Sequence, residues 1–305
     1  MTEREVVICN ELTKDYGSGN GLFGLNLAIN QGEIFGLVGP NGAGKSTFIK
    51  LLMDLVKPTS GSARIFGKDT QRFSLDLKRR IGYLPGELMQ FPGVTAGYIL
   101  NLLLNLRGVR DRVHLYYLAE RLQLDLTRKY QNLSHGNKQK VGLVQALMHK
   151  PELLILDEPT LGLDPIVQRE VREILQEQVA LGNTVILSSH IMSEVENICS
   201  RIGLIHQGKV LRLGTLTDLR TTKIHKVQAL LGGKPPSDIE LRTVGARDIE
   251  VQDHLLSFQV QGSVDAVMKL LSKTDVEELD SRELSLEEVF FSEVDNKTQK
   301  SGAST

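Results

Sequence analysis

The nine residues GPNGAGKST, Gly39 to Thr47, constrain this chain more than any other stretch. They satisfy the pattern G-x-x-x-x-G-K-[ST] through Gly39, Gly44, Lys45 and Ser46. The run Glu33 to Val38 before them reads as a buried strand, and Phe48 to Met53 after them has helical spacing, so the pattern sits in the strand–loop–helix context it needs. Glycines at 42 and 44 let the backbone curl until successive amides face phosphate oxygens, and the helix starting near Lys45 adds the positive end of its dipole. In such a loop Gly39, Pro40, Asn41, Gly42, Ala43 and Gly44 form the cradle and Lys45 reaches the β- and γ-phosphates. Ser46 offers its hydroxyl to Mg²⁺, and Thr47 adds a donor near the α-phosphate. The loop alone does not separate a kinase, a GTPase and a transport ATPase.

Two further apolar runs deliver polar residues. Leu153 to Leu156 reads as a fully buried parallel strand, and Asp157 and Glu158 follow at its carboxyl end, where α/β sheets place their ligands. Asp157 suits Mg²⁺, and Glu158 suits a base that polarises the attacking water. Thr184 to Ser189 repeats the arrangement with His190 at its tip. Ser134 and Gly136 precede a predicted helix from about Asn137 to Met148, with Ser134 placed to cap it. Between the loop and that helix, Ala96 to Leu106 and Val113 to Leu122 read as amphipathic helices of an insert. Arg201 to Val210 reads as a closing hairpin with Gly208 in its turn, and Tyr16 stands upstream of the phosphate loop as a half-buried turn residue or a base-stacking one.

In this order, phosphate loop, LSHGN, LLILDEP, the Gly162-Leu163-Asp164 turn and strand-end His190, the residues closely resemble the ATP-binding subunits of ABC transporters from about Val6 to Gly214. The resemblance implies an α/β P-loop NTPase fold with a mixed, largely parallel core sheet, an antiparallel β subdomain and a helical subdomain. It places Tyr16 on the adenine, Gly39 to Thr47 in the Walker A loop, and Leu133 to Asn137 at the signature. Asp157 and Glu158 fall at Walker B, Leu163-Asp164 in the D-loop, and His190 at the switch histidine. It implies a head-to-tail dimer, identical or not, in which Ser134 and the Gly136 amide act on the ATP of the other subunit. A separate transmembrane permease and a position on the cytoplasmic face of the membrane follow from it.

The chain departs from the family pattern at two places. The usual LSGGQ becomes LSHGN through His135 and Asn137, and Gly86 stands where the Q-loop glutamine is expected, leaving Glu87 as the candidate Mg²⁺ and water contact. The LPGE loop and an extra terminal domain resemble the ABC-2-type exporters grouped with drug and antibiotic efflux.

A formal net charge of −1 without a Lys/Arg cluster gives no electrostatic reason to expect nucleic acid. Cys9 and Cys199 are too few and too far apart for a disulfide framework and read as buried thiols. No apolar run approaches the ~18 residues of a membrane span.

The expected domains are 1–214 for ATP binding, with a helical subdomain at about 83–140, then a linker at 215–226. A small α+β domain at 227–295 and a disordered tail at 296–305 complete the chain. The loop from Gly86 to Tyr98, with Leu88, Met89, Phe91, Pro92 and Val94, is expected to form a groove for a permease helix. Two rival functions remain at this level, a soluble ABC ATPase with a non-membrane partner and a nucleotide sensor with a weakened site.

Overall fold

Alternating burial makes β1 (Glu5–Asp15) and β2 (Gly21–Asn30) an antiparallel pair with one face on the core, whereas β3 (Ile34–Val38) is buried at every residue and lies inside a second sheet. The computed structural model describes residues 4–219, 224–285 and 287–288. After β3 come α1 (Lys45–Leu52), β4 (Ser60–Ile65), β5 (Lys68–Asp69), α2 (Ser74–Arg80) and β6 (Ile81–Leu84). The insert follows as α3 (Ala96–Leu106) and α4 (Val113–Arg121), then α5 (His135–Leu147), β7 (Leu153–Asp157), α6 (Pro165–Ala180) and β8 (Thr184–Ser189). The first of two compact units, Met1–Leu216, ends with α7 (Met192–Glu196), β9 (Arg201–His206) and β10 (Lys209–Thr215).

Two sheets organise this unit. The antiparallel one runs β2-β1-β4-β5, and the second runs β10-β9-β3-β8-β7-β6, parallel throughout except for β10. Register fixes the site. Val38 pairs with Ser189 and Asp157 with Ser188, so β3, β7 and β8 end level and release their next residues along one edge. Phe48, Ile49, Leu51 and Leu52 of α1 are buried with Phe35, Leu37, Ile155 and Ile186 in the same core, which seats the phosphate loop on the sheet.

The insert is made of two short helices, of which α3 has a side-chain cap and α4 is tied to α6 by ion pairs. Thr95 accepts from the Tyr98 N–H at 3.2 Å to start α3, and Arg121 on α4 binds Glu170 and, at 2.6 Å, Glu177 on α6. Tyr98, Leu102 and Leu106 lie four residues apart on α3 and are all exposed, a stripe left uncovered among the described residues. Leu88 and Phe91 of the loop expected to form a groove are half-buried, Phe91 edge-on to Tyr130 at 5.3 Å and Leu88 against α5 beside Gly142. Among the described residues no helix is long and apolar enough to cross a membrane.

The second unit, Thr217–Thr305, contains β11 (Ile224–Leu231), α9 (Asp238–Thr243), β12 (Ala246–Gln252), β13 (Leu255–Gln261), α10 (Asp265–Leu271) and β14 (Val276–Glu283); a four-residue helix, Leu216–Leu219, spans the division. Its sheet, β12-β13-β11-β14, is antiparallel, giving the β-α-β-β-α-β order of a ferredoxin-like fold. β11 begins inside the stretch expected as linker, and α9 is started by a capping box between Ser237 and Glu240. Ser285 and Glu288 form a second such box, and the expectations for 289–305 lie outside the described residues. Phe258 is 1% exposed in the core of this unit. Phe258→Ala is therefore expected to destabilise the unit by about 3–5 kcal/mol, read as faster amide exchange in β11 and β13.

Candidate functional site

The phosphate loop leaves β3 at Gly39 and turns into α1 through Gly44, whose φ is +109°. A Cβ there would also lie 2.8 Å from the Gly21 carbonyl oxygen, so both conformation and space demand glycine. That contact brings the turn after β1 against the loop. Tyr16, in the same turn, is 52% exposed, with the Lys14 ammonium 5.2 Å from its ring centroid.

Lys45 is 6% exposed, and its Nζ donates to the carbonyls of Gly39 at 2.7 Å and Pro40 at 3.3 Å. The same Nζ lies 3.4 Å from Oε1 of Glu158. Glu158 also accepts at Oε2 from Nδ1–H of His190 at 2.9 Å, so one carboxylate spans a lysine from the first element and a histidine from the strand next door. Asp157, 4% exposed, accepts from the Ser188 hydroxyl, which fixes its carboxyl group at the end of β7.

Asn41 to Thr47, Lys50, Tyr83, Gly86, Glu87, Asp157 and Glu158 line one cleft of about 660 Å³. Tyr83 was not foreseen there. Burial, and then the charge of Asp157, pushes its phenol up to about 12, so it presents a neutral wall. Gly86 faces Asp157 so closely that a Cβ would fall 2.9 Å from Oδ2. Glu87 is exposed at the rim.

The oxygen donors that converge here, the Ser46 hydroxyl and the Asp157 and Glu87 carboxylates, are those of a hard cation that takes one or two protein carboxylates and fills its shell from phosphates and water. Among the described residues no group of three or more His, Cys, Asp or Glu side chains is arranged to hold an ion alone. The set therefore fits Mg²⁺ carried in with a nucleotide.

Ser134 and Gly136 are not among the residues lining this cleft. They form the exposed amino end of α5, where the Ser134 hydroxyl accepts from the Asn137 N–H at 3.3 Å and from its side-chain amide at 3.0 Å. Two polar residues next to Asp157 and Glu158 carry no sequence signal. Ser188 reads as one more strand residue, and Gln139 as one more helix residue. Both bond the backbone of Glu158, Ser188 Oγ accepting its N–H at 3.1 Å and Gln139 Nε2 donating to its carbonyl at 2.8 Å.

The family model for the ABC transporter matches residues 22–161. The bacitracin transport ATP-binding protein BcrA of Bacillus licheniformis is 40% identical over 213 residues, covering 68% of this chain and 68% of that protein. The linearmycin resistance ATP-binding protein LnrL of Bacillus subtilis (strain 168) is 39% identical over the same length, again with 68% of each chain covered. Among solved structures, a dimeric ATP-binding cassette in a post-hydrolysis state with ADP and phosphate superposes with a TM-score of 0.63 at 27% identity, covering 69% of this chain and 98% of that one.

Proposed function

The chain belongs to the ABC transporter family as an ATP-binding subunit with ATPase chemistry, and from that premise we propose that two such subunits hydrolyse MgATP between them to drive export of an antibiotic-like compound through a separate permease. The observation that carries the hydrolytic part is the placing of Glu158 between Lys45 and His190, at the mouth of the phosphate-loop cleft.

The amides of the loop and Lys45 bind and orient the β- and γ-phosphates, holding the reacting phosphorus at the edge where β7 ends. Glu158 polarises the attacking water, and His190 keeps its carboxylate turned toward that water. Ser46 and Asp157, with Glu87 at the rim, would hold Mg²⁺, which when bound would supply charge neutralisation on the phosphate oxygens. Tyr16 offers its exposed ring to the adenine. Ser134 and Gly136, set away from their own cleft at a helix amino end, serve the nucleotide of the facing subunit.

The permease-facing surface is assigned to the exposed stripe of α3, because Tyr98, Leu102 and Leu106 stand exposed there while Leu88 and Phe91 are half-buried. Docking there places the subunit on the cytoplasmic face of the membrane. Tyr98→Asp with Leu102→Asp is expected to retain the ATPase rate of the purified chain and to abolish its co-sedimentation with membranes containing the permease. A double variant that stays on the membrane and supports transport would move the docking site elsewhere. Loss of nucleotide-stimulated phosphate release in the unaltered protein would refute the hydrolytic reading itself.

A further inference from the structure

We propose that Gln139 is a positioning residue of the hydrolytic step: its carboxamide fixes the backbone of Glu158 and ties it to the amino end of α5. The inference rests on the reading of Glu158 as the base. Glu158 has φ +50°, the left-handed region that a glutamate side chain disfavours, so its conformation has to be imposed by its neighbours. Its N–H is held by Ser188, through Oγ at 3.1 Å and the carbonyl at 3.2 Å. Its carbonyl oxygen accepts from the Leu161 N–H at 3.2 Å, closing the turn, and from Gln139 Nε2 at 2.8 Å. Gln139 is 3% exposed, so water does not compete for that bond.

The bond belongs to a continuous contact. His135, Gly136 and Gln139 share one face of α5, and that face rests on the turn from Glu158 to Gly162. A Cβ on Gly162 would fall 2.6 Å from Cδ2 of His135, and one on Gly136 would fall 2.5 Å from the Gly162 carbonyl oxygen. No slack remains between helix and turn. The amino end of α5, which carries Ser134 and Gly136, and the backbone that aims the Glu158 carboxylate therefore move as one body within a single chain. When the facing subunit's nucleotide engages Ser134 and Gly136, the displacement reaches Glu158 through Gln139. His135, although it departs from the family pattern, fills the space over Gly162 and belongs to the same contact.

The test uses the full-length chain with Gln139→Met, which keeps the length and removes the donor, alongside Glu158→Gln. The expected result is a fall in kcat of about tenfold to a hundredfold, with KM for ATP and the affinity for a fluorescent ATP analogue within about twofold of the parent. Wild-type kcat in Gln139→Met, with Glu158→Gln inactive, overturns the role of Gln139 and leaves the base in place. Parent-like turnover in Glu158→Gln overturns the base, and this inference with it. A parallel loss of kcat, ATP affinity and melting temperature assigns Gln139 to the stability of α5 and also overturns the proposal. Gln139→Asn, which keeps the amide one methylene short of the carbonyl, provides a second variant should the methionine disturb folding. The same selective fall in kcat is expected from it, and wild-type turnover in a folded Asn variant refutes the proposal.

Discussion

Glu158→Gln is expected to bind ATP as tightly as the parent chain and to hydrolyse it at least ~10²-fold more slowly, the usual value of a general base. The substitution suits the site because a carboxamide keeps the size of the carboxylate and can turn its oxygen toward Lys45, while its amide meets the imidazole once that ring presents Nδ1 as an acceptor. What it cannot do is accept a proton from water. Bound but unhydrolysed nucleotide should then hold two subunits together, so a dimer appears in ATP by light scattering and persists. Steady-state phosphate release measured beside a nucleotide titration decides the matter. Turnover near that of the parent would remove Glu158 from the role.

Ser134→Arg is expected to leave nucleotide binding by the single subunit unchanged and to eliminate both the ATP-driven dimer and hydrolysis. Ser134 lies outside the cleft of its own chain, so the first outcome follows from its position. The second follows from bulk and charge at the exposed amino end of α5, where a facing phosphate has to fit. The arginine also removes the Ser134 cap, but that costs only about 1 kcal/mol. Ser134→Ala, which loses the cap without adding bulk, separates the two effects and should still dimerise. An arginine variant that dimerises in ATP contradicts a nucleotide shared between facing subunits.

The fold and site differ in what made them readable. The phosphate loop, the buried runs before Asp157 and His190, and the helix Ala96–Leu106 were legible because each rests on local chemistry: glycine geometry, unbroken burial, and a 3.6-residue period behind a threonine cap. β11 is obscured because Leu230 breaks the alternation of its inward residues Val227, Ala229 and Leu231, and its start at Ile224 and His225 follows a charged stretch. The second half of β14 carries no sequence signal, since beyond Leu279 this edge strand shows polar side chains and is held by backbone pairing with β11. α9 carries a signal, the Ser237–Glu240 spacing, but two prolines directly before it read as a break. The long-range bonds to Glu158 were beyond reach. Gln139 stands 19 residues away in sequence, and nothing in a helical pattern says which neighbour a buried amide will meet.

The closeness of residue 86 to Asp157 bears on how this sequence can change over generations. The usual glutamine of the family cannot simply be reinstated, because its Cβ alone would press on a carboxylate already anchored by Ser188. Gly86→Gln therefore requires a shift in the loop from Pro85 to Glu87 or in the hold on Asp157.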